Sequence, residues 1–195
     1  MKNFQDYYFF KAKKENYPAR SVYKLKEIDA KYSIFHKGDK VLDLGAAPGS
    51  WTLGAVEKIG TSGAVVACDL KPCPISLPAN AFFFQDDIFE PSAEFLARLS
   101  FYNPFNIIMS DMAPATTGNK ITDQFRSYEL AEKALEYAET YLTSSGNFIV
   151  KIFMGPDTEA LLKKMKILFQ QVKIFKPKSS RSESKETFFL GLKKK

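Results

Sequence analysis

Histidine is almost absent from this chain: His36 stands alone among 195 residues. Cysteine is nearly as scarce, with Cys68 and Cys73. These residues cannot supply the four ligands of an ordinary zinc cluster, so no metal centre is expected. They cannot build a disulfide framework either, and both cysteines read as packing residues. His36 lies beside Lys37 and Gly38 in what reads as a connector, a poor place for a histidine base. No apolar run approaches the ~20 residues that span a bilayer. The opening Met1-Lys2-Asn3-Phe4-Gln5-Asp6 does not lead into the apolar core of a signal peptide. A cytoplasmic protein with no membrane partner is expected.

What is present is ordinary in amount and unusual in placement. Apolar residues make up 45% and charged residues 26%, the balance of a globular chain rather than a disordered one. The length suits a single domain over 1–195 with a core that needs no staples. The net charge of +6 is concentrated at the ends. Lys2, Lys11, Lys13, Lys14, Arg20, Lys24, Lys26 and Lys31 crowd the first segment, interleaved with Phe4, Tyr7, Tyr8, Phe9, Phe10, Tyr17 and Tyr23. Lys173, Lys176, Lys178, Arg181, Lys185 and Lys193-Lys194-Lys195 crowd the last. Brought to one face, the two ends would suit a phosphate backbone; left apart, they are a solvated surface. Residues 1–32 therefore read as a basic segment and helix that contact nucleic acid, and 40–195 as the core.

Strand and helix patterns alternate, which points to an α/β fold with a mostly parallel sheet covered by helices. Strands are expected at Lys40 to Leu44, Ala64 to Leu70, Ala81 to Gln85, Phe105 to Ser110, Gly146 to Phe153, Val172 to Phe175 and Thr187 to Leu192. Helices are expected at Arg20 to Lys31, Gly49 to Ile59, Pro91 to Leu99, Phe125 to Leu142 and Thr158 to Phe169, where apolar residues recur at helical spacing. The connector Lys176 to Lys185 is too short for a helical crossover, so the last two of these seven strands should pair antiparallel. Two long irregular segments remain, the proline-rich Lys71 to Asn80 and Ala113 to Thr122, and long loops in such folds are often functional.

Asp43-Leu44-Gly45-Ala46-Ala47-Pro48-Gly49-Ser50-Trp51 closes the first strand and opens a helix. Small residues there let a ligand approach the backbone, and the helix start offers free N–H groups at the carboxyl end of the sheet. Ala47 occupies the place of the second glycine in the dinucleotide pattern, which argues against a nicotinamide enzyme. Asp69 ends the second strand, 24 residues after Gly45, where a carboxylate can accept from both hydroxyls of a ribose. Asp87 follows the third strand and could meet an adenine amino group. The pattern fits an adenosine ligand; a plain tight turn flanked by surface carboxylates would also produce it.

The same loop resembles the S-adenosylmethionine loop of the FtsJ/RrmJ-type RNA ribose 2′-O-methyltransferases. Ala19-Arg20-Ser21-Val22-Tyr23-Lys24-Leu25, Met109-Ser110-Asp111-Met112-Ala113-Pro114, Val150-Lys151-Ile152-Phe153 and Lys176-Pro177-Lys178-Ser179-Ser180-Arg181 running on to Glu186 match the family in order. The likeness spans nearly the whole chain. It departs at Ser50 and Asp86, both often glycine in the family. The resemblance implies a Rossmann-like S-adenosylmethionine-dependent methyltransferase fold, with a seven-stranded sheet, an antiparallel last strand and helices on both faces. It implies a catalytic Lys24, Asp111, Lys151 and Glu186. Gly45, Ala46, Pro48, Gly49, Ser50, Trp51, Asp69, Leu70, Asp87, Ile88 and Asp111 would hold S-adenosylmethionine.

Lys151 is the candidate base for a ribose 2′-hydroxyl, Asp111 orients it, and Lys24 with Glu186 fixes the ribose and its phosphate. Arg20, Lys24, Lys178 and Arg181 are the candidate RNA contacts. The resemblance is strongest to bacterial ribosomal members, which modify a uridine of 23S RNA in the large subunit, so ribosomal RNA is the expected partner and a monomer the expected state. Relatives that act on transfer RNA share the quartet, and a non-catalytic ribosome-assembly factor could keep the fold.

Overall fold

The computed structural model describes residues 3–180 and 185–195, with side chains from residue 7 onward. The chain runs α1 (Asn3–Lys14), α2 (Val22–Tyr32), β1 (Lys40–Leu44), α3 (Ser50–Ile59), β2 (Ala64–Asp69), β3 (Ala81–Gln85), α4 (Ala93–Tyr102), β4 (Phe105–Ser110), α5 (Lys120–Tyr141), β5 (Leu142–Phe153), α6 (Thr158–Leu168), β6 (Phe169–Phe175) and β7 (Glu186–Lys194). The strands form one sheet in the order β3-β2-β1-β4-β5-β7-β6. The first five strands pair parallel, and β7 slots between β5 and β6, antiparallel to both. The short connector before β7 explains that insertion, since a hairpin return needs no crossover helix.

Side-chain alternation divides the core in two. Leu42, Ile108, Phe148, Val150, Ile152 and Phe189 point to the face covered by Phe95 and Leu99 of α4, Ala131, Ala134 and Leu135 of α5, and Leu161 and Met165 of α6. Their neighbours Val41, Ile107, Met109, Ile149, Phe188 and Leu190 point to the other face, under Leu25 and Ile28 of α2 and Trp51, Ala55 and Ile59 of α3. Strands buried on both sides read as continuous apolar runs, which is how the sequence shows them.

Several boundaries differ from the sequence reading, each for a local reason. Residues 3–14 form a helix that the scattered aromatics and lysines did not announce. Helix α5 begins at Lys120 rather than Phe125, because the Asn119 side chain caps it by accepting from the N–H groups of Ile121 and Thr122. Strand β5 begins at Leu142, directly after α5, rather than at Gly146, so that Thr143-Ser144-Ser145 belongs to the strand as well. The terminal lysines are not simply a basic patch. Lys194 Nζ donates to the carbonyls of Ala138, Glu139 and Leu142 at 3.0, 2.6 and 2.8 Å, which satisfies the C-terminal end of α5. Lys195 Nζ likewise donates to the Lys166 carbonyl at 2.8 Å. Among the described residues, no helix is long and apolar enough to cross a membrane.

Candidate active site

The strand order reverses direction between β1 and β4, and such a switch point leaves a crevice at the carboxyl ends of the strands. Gly45 follows β1 there, and Asp111 follows β4. Gly45 takes a φ of +81°, and a Cβ on it would stand 2.3 Å from Met112 Cγ. Gly49 takes a φ of +99°, and its Cβ would meet Ile75 and Cys73 of the proline-rich loop. Both glycines thus make room for the protein's own loops, which close over the turn, in addition to any ligand.

Asp69 binds across the loop. Its Oδ2 accepts from Ala47 N–H at 2.9 Å and its Oδ1 from Lys71 N–H at 2.8 Å. A carboxylate has about four acceptor positions, so two remain for a diol. Asp86 is occupied differently: its carboxylate accepts from the N–H groups of Asp87 and Ser92 and from the Ser92 hydroxyl. These bonds hold its carboxyl below the usual range despite some desolvation. Asp86 therefore anchors the start of α4. Asp87 accepts from Phe89 N–H at 2.9 Å. The Tyr137 hydroxyl donates to the Ile88 carbonyl at 2.9 Å, tying this loop to α5. Leu70 is 66% exposed beside Asp69, while Ile88 is buried.

Two of the candidate ligand residues have other work for their side chains. Trp51 is buried, stacks on Phe188 with centroids 5.6 Å apart, and donates from Nε1 to the Ser21 carbonyl at 2.9 Å. The Ser50 hydroxyl accepts from Ala19 N–H at 2.8 Å and clamps the segment before α2. What Ser50 and Trp51 can present to a ligand is main-chain N–H, because Gly49 caps α3 without a side-chain bond.

Parity then assembles the charged quartet. Met109 and Ile149 face α2, so two residues further on Asp111 and Lys151 do too; Phe188 does, so Glu186 two residues earlier also does. Lys24 descends from α2 onto the same spot, its amine 5.7 Å from the Phe188 ring centroid. The four charges close a ring of alternating sign. Lys24 Nζ lies 3.0 Å from Glu186 Oε2 and 3.7 Å from Asp111 Oδ1. Lys151 Nζ lies 3.1 Å from Asp111 Oδ1 and 3.9 Å from Glu186 Oε1. Lys151 also donates to the Asp111 carbonyl. Its side chain is 5% exposed, against 22% for Glu186, so the ring opens to solvent on its acidic side. Buried lysines are tolerated only when paired like this.

A family model of FtsJ-like methyltransferases matches residues 17–194, which takes in the loop and all four charges. The chain belongs to that family. This methyltransferase is 60% identical over 192 residues to the ribosomal RNA large subunit methyltransferase E of Oleidesulfovibrio alaskensis, covering 98% of this chain and 93% of the relative. It is 58% identical, also over 192 residues, to the protein of the same name from Lawsonia intracellularis, covering 98% and 96%. Among solved structures, a ribosomal RNA methyltransferase from Plasmodium falciparum is 30% identical with a TM-score of 0.79, over 91% of this chain and 98% of that one.

Four candidate RNA contacts of the methyltransferase remain to be placed. Arg20 is half-buried in the turn before α2. Lys178 is exposed on the connector between β6 and β7. Arg181 falls outside the described residues. Lys24 is buried, and its contacts are to carboxylates rather than to the open surface. Two residues were not anticipated. Glu27 of α2 accepts from the N–H groups of Lys178 at 2.7 Å and Ser179 at 2.9 Å. Its spacing of three from Lys24 puts it on the same helix face, a signal available in the sequence once Lys24 is suspected. Asp43 is wholly buried behind the loop and accepts from the Thr52 hydroxyl at 2.6 Å.

Proposed function

We propose that this methyltransferase modifies the 2′-hydroxyl of a ribose in RNA, a uridine of 23S RNA in the large ribosomal subunit, with S-adenosylmethionine as methyl donor. One observation carries the reading: two amines and two carboxylates meet within 3.0 to 3.9 Å beside the crevice that Gly45 and Asp69 border. The relatives from Oleidesulfovibrio and Lawsonia are ribosomal RNA large subunit methyltransferases, which supports the large-subunit target.

The crevice suits the donor chemically. Asp69 keeps acceptor positions for ribose hydroxyls, Leu70 offers an exposed apolar surface to an adenine face, and Asp87 follows β3 on the same edge. The uncapped N–H groups at the start of α3 can receive a carboxylate, and Gly45, Ala46, Pro48 and Gly49 form the turn that brings the donor up to them. Bound S-adenosylmethionine supplies a methyl group on a sulfonium, an excellent leaving group.

Much of the catalysis is then positioning. Lys151 Nζ would take or steer the proton of the 2′-hydroxyl as its oxygen bonds to the methyl carbon and the carbon–sulfur bond breaks, its electron pair returning to sulfur to leave a neutral thioether. Asp111 holds that amine through both its carboxylate and its carbonyl. Lys24 and Glu186 fix the ribose and its phosphate, and Arg20, Lys178 and Arg181 track the strand. Acting on RNA as one domain and as a monomer, the enzyme works in the cytoplasm.

The test is incubation with radiolabelled S-adenosylmethionine and, in parallel, free ribosomal RNA, isolated large subunits and bulk transfer RNA, all from cells lacking the enzyme. Label is expected in ribosomal RNA, with large subunits accepting most. Label confined to transfer RNA would move the target, and none in any pool would leave a binding protein with a kept fold.

A further inference from the structure

The hydroxyl of Tyr137 stands where packing alone does not require one. Tyr137 is 6% exposed and belongs to the apolar core that also holds Cys68, Ile88, Ala134 and Ala138. A phenylalanine would fill that space equally well, and a buried hydroxyl needs a partner to offset its lost hydration. The partner is the Ile88 carbonyl at 2.9 Å, in the loop after β3.

The same peptide group carries the contact further. The Ile88 carbonyl and the Phe89 N–H are the two ends of one planar unit. Phe89 N–H donates to Asp87 Oδ1 at 2.9 Å. Hydroxyl, peptide and carboxylate thus form one chain of hydrogen bonds, in which each bond polarises the next. The chain starts on a 22-residue helix and ends on a half-buried acid at the carboxyl edge of the sheet. The rest of the loop is pinned to the end of β2. Asp86 N–H donates to the Asp69 carbonyl at 3.0 Å, and Asp87 N–H donates to Asp86 Oδ1 at 2.8 Å. With Oδ1 taken by Phe89, Asp87 has Oδ2 to present to a ligand.

We infer that Tyr137 is a positioning residue for S-adenosylmethionine: through the Ile88–Phe89 peptide it sets the rotation of the Asp87 carboxylate, and so the affinity for the adenine amino group. This rests on the donor reading above, in which Asp87 meets the adenine, and adds a residue that lies behind that site rather than in it.

Calorimetry with two ligands tests the inference: S-adenosylhomocysteine, and S-inosylhomocysteine, whose base carries an oxygen in place of the amino group. The wild type is expected to prefer the adenine form by roughly tenfold or more, since a carboxylate bonds an amino group and repels an oxygen. Tyr137→Phe keeps the ring in the core and removes the first bond of the chain. Its dissociation constant for S-adenosylhomocysteine should rise about fivefold, the equivalent of one neutral hydrogen bond, while that for S-inosylhomocysteine moves by about twofold at most. In turnover the loss falls on KM for S-adenosylmethionine rather than on kcat. Asp87→Ala should abolish the preference for adenine, and adding Tyr137→Phe to it should change nothing more, because the two act through one chain.

A preference that survives Asp87→Ala would show that Asp87 does not meet the adenine, and would overturn that reading together with the role of Tyr137. A preference lost in Asp87→Ala but kept in Tyr137→Phe would overturn the role of Tyr137 alone. Failure of Tyr137→Phe to fold, or equal weakening of both ligands with a lower melting temperature, would mark a hydroxyl that serves the fold and would overturn it too.

Discussion

Lys151→Ala is expected to reduce kcat by about 10³-fold, the middle of the range for a positioned proton-transfer group, while the dissociation constant for S-adenosylmethionine changes less than threefold. The split follows from the geometry. Lys151 faces Asp111 and Glu186 at 3.1 and 3.9 Å, on the α2 face of the sheet, whereas the Asp69 carboxylate bonds to the loop around Ala47. Loss of three decades is about 4 kcal/mol of transition-state stabilisation. Removing one member of a buried ion group also destabilises the fold, because an uncompensated charge stays behind. Lys24 remains within 3.7 Å of both carboxylates, which limits that cost. Single-turnover kinetics with saturating donor, alongside a melting curve, separates the effects. A variant that keeps most of its kcat removes Lys151 from proton transfer, and one that loses donor affinity instead makes it a binding residue.

Asp43→Asn should make stability nearly independent of pH between 4 and 7, where the wild type loses stability as pH rises. Burial pushes the Asp43 carboxyl up to about 7; the Thr52 hydrogen bond opposes this, and the charges of Asp111 and Asp69 reinforce it. The folded protein thus keeps a proton that the unfolded chain releases near 3.8. Between these values the folded state binds more protons, so each step up in pH favours unfolding, and the loss is complete above 7. The interval of 3.2 units between 3.8 and 7 corresponds to roughly 4 kcal/mol. Asparagine can still accept from Thr52, and it cannot ionise. Groups with lowered values, such as Asp86 and Glu132, contribute stability that is lost only as pH falls through their unfolded values of 3.8 and 4.5, at the lower edge of this window and below the pH 5 of the comparison. Urea unfolding of both proteins at pH 5 and pH 8 provides the check. The variant should gain on the wild type by a few kcal/mol at pH 8, and parallel pH profiles would show that Asp43 is ionised throughout.

The sheet was legible because its central strands are buried on both faces and so appear as apolar runs bounded by glycine and proline. The quartet was legible only through motif resemblance. Lys24 and Glu186 lie 162 residues apart, and nothing local says that α2 crosses over β5 and β7. Once strand order is known, parity alone brings Asp111, Lys151 and Glu186 to one face. Other features depend on contacts that no sequence pattern announces. Lys194 looks like any tail lysine until the end of α5 comes to lie beneath it. Trp51, read with the loop, belongs to the core because Phe188 gives it a ring to stack on. Asn119 was a missed signal, since an asparagine followed by Asp123 within the first turn is an ordinary helix start.

The central claim is chemical: the methyl group goes to a ribose oxygen rather than to a base. Ribosomal RNA labelled by the enzyme from radioactive S-adenosylmethionine can be hydrolysed in alkali and its products resolved by size. A methylated 2′-oxygen cannot attack the neighbouring phosphate, so label is expected in alkali-resistant dinucleotides. Label in mononucleotides would place the methyl on a base and contradict the account.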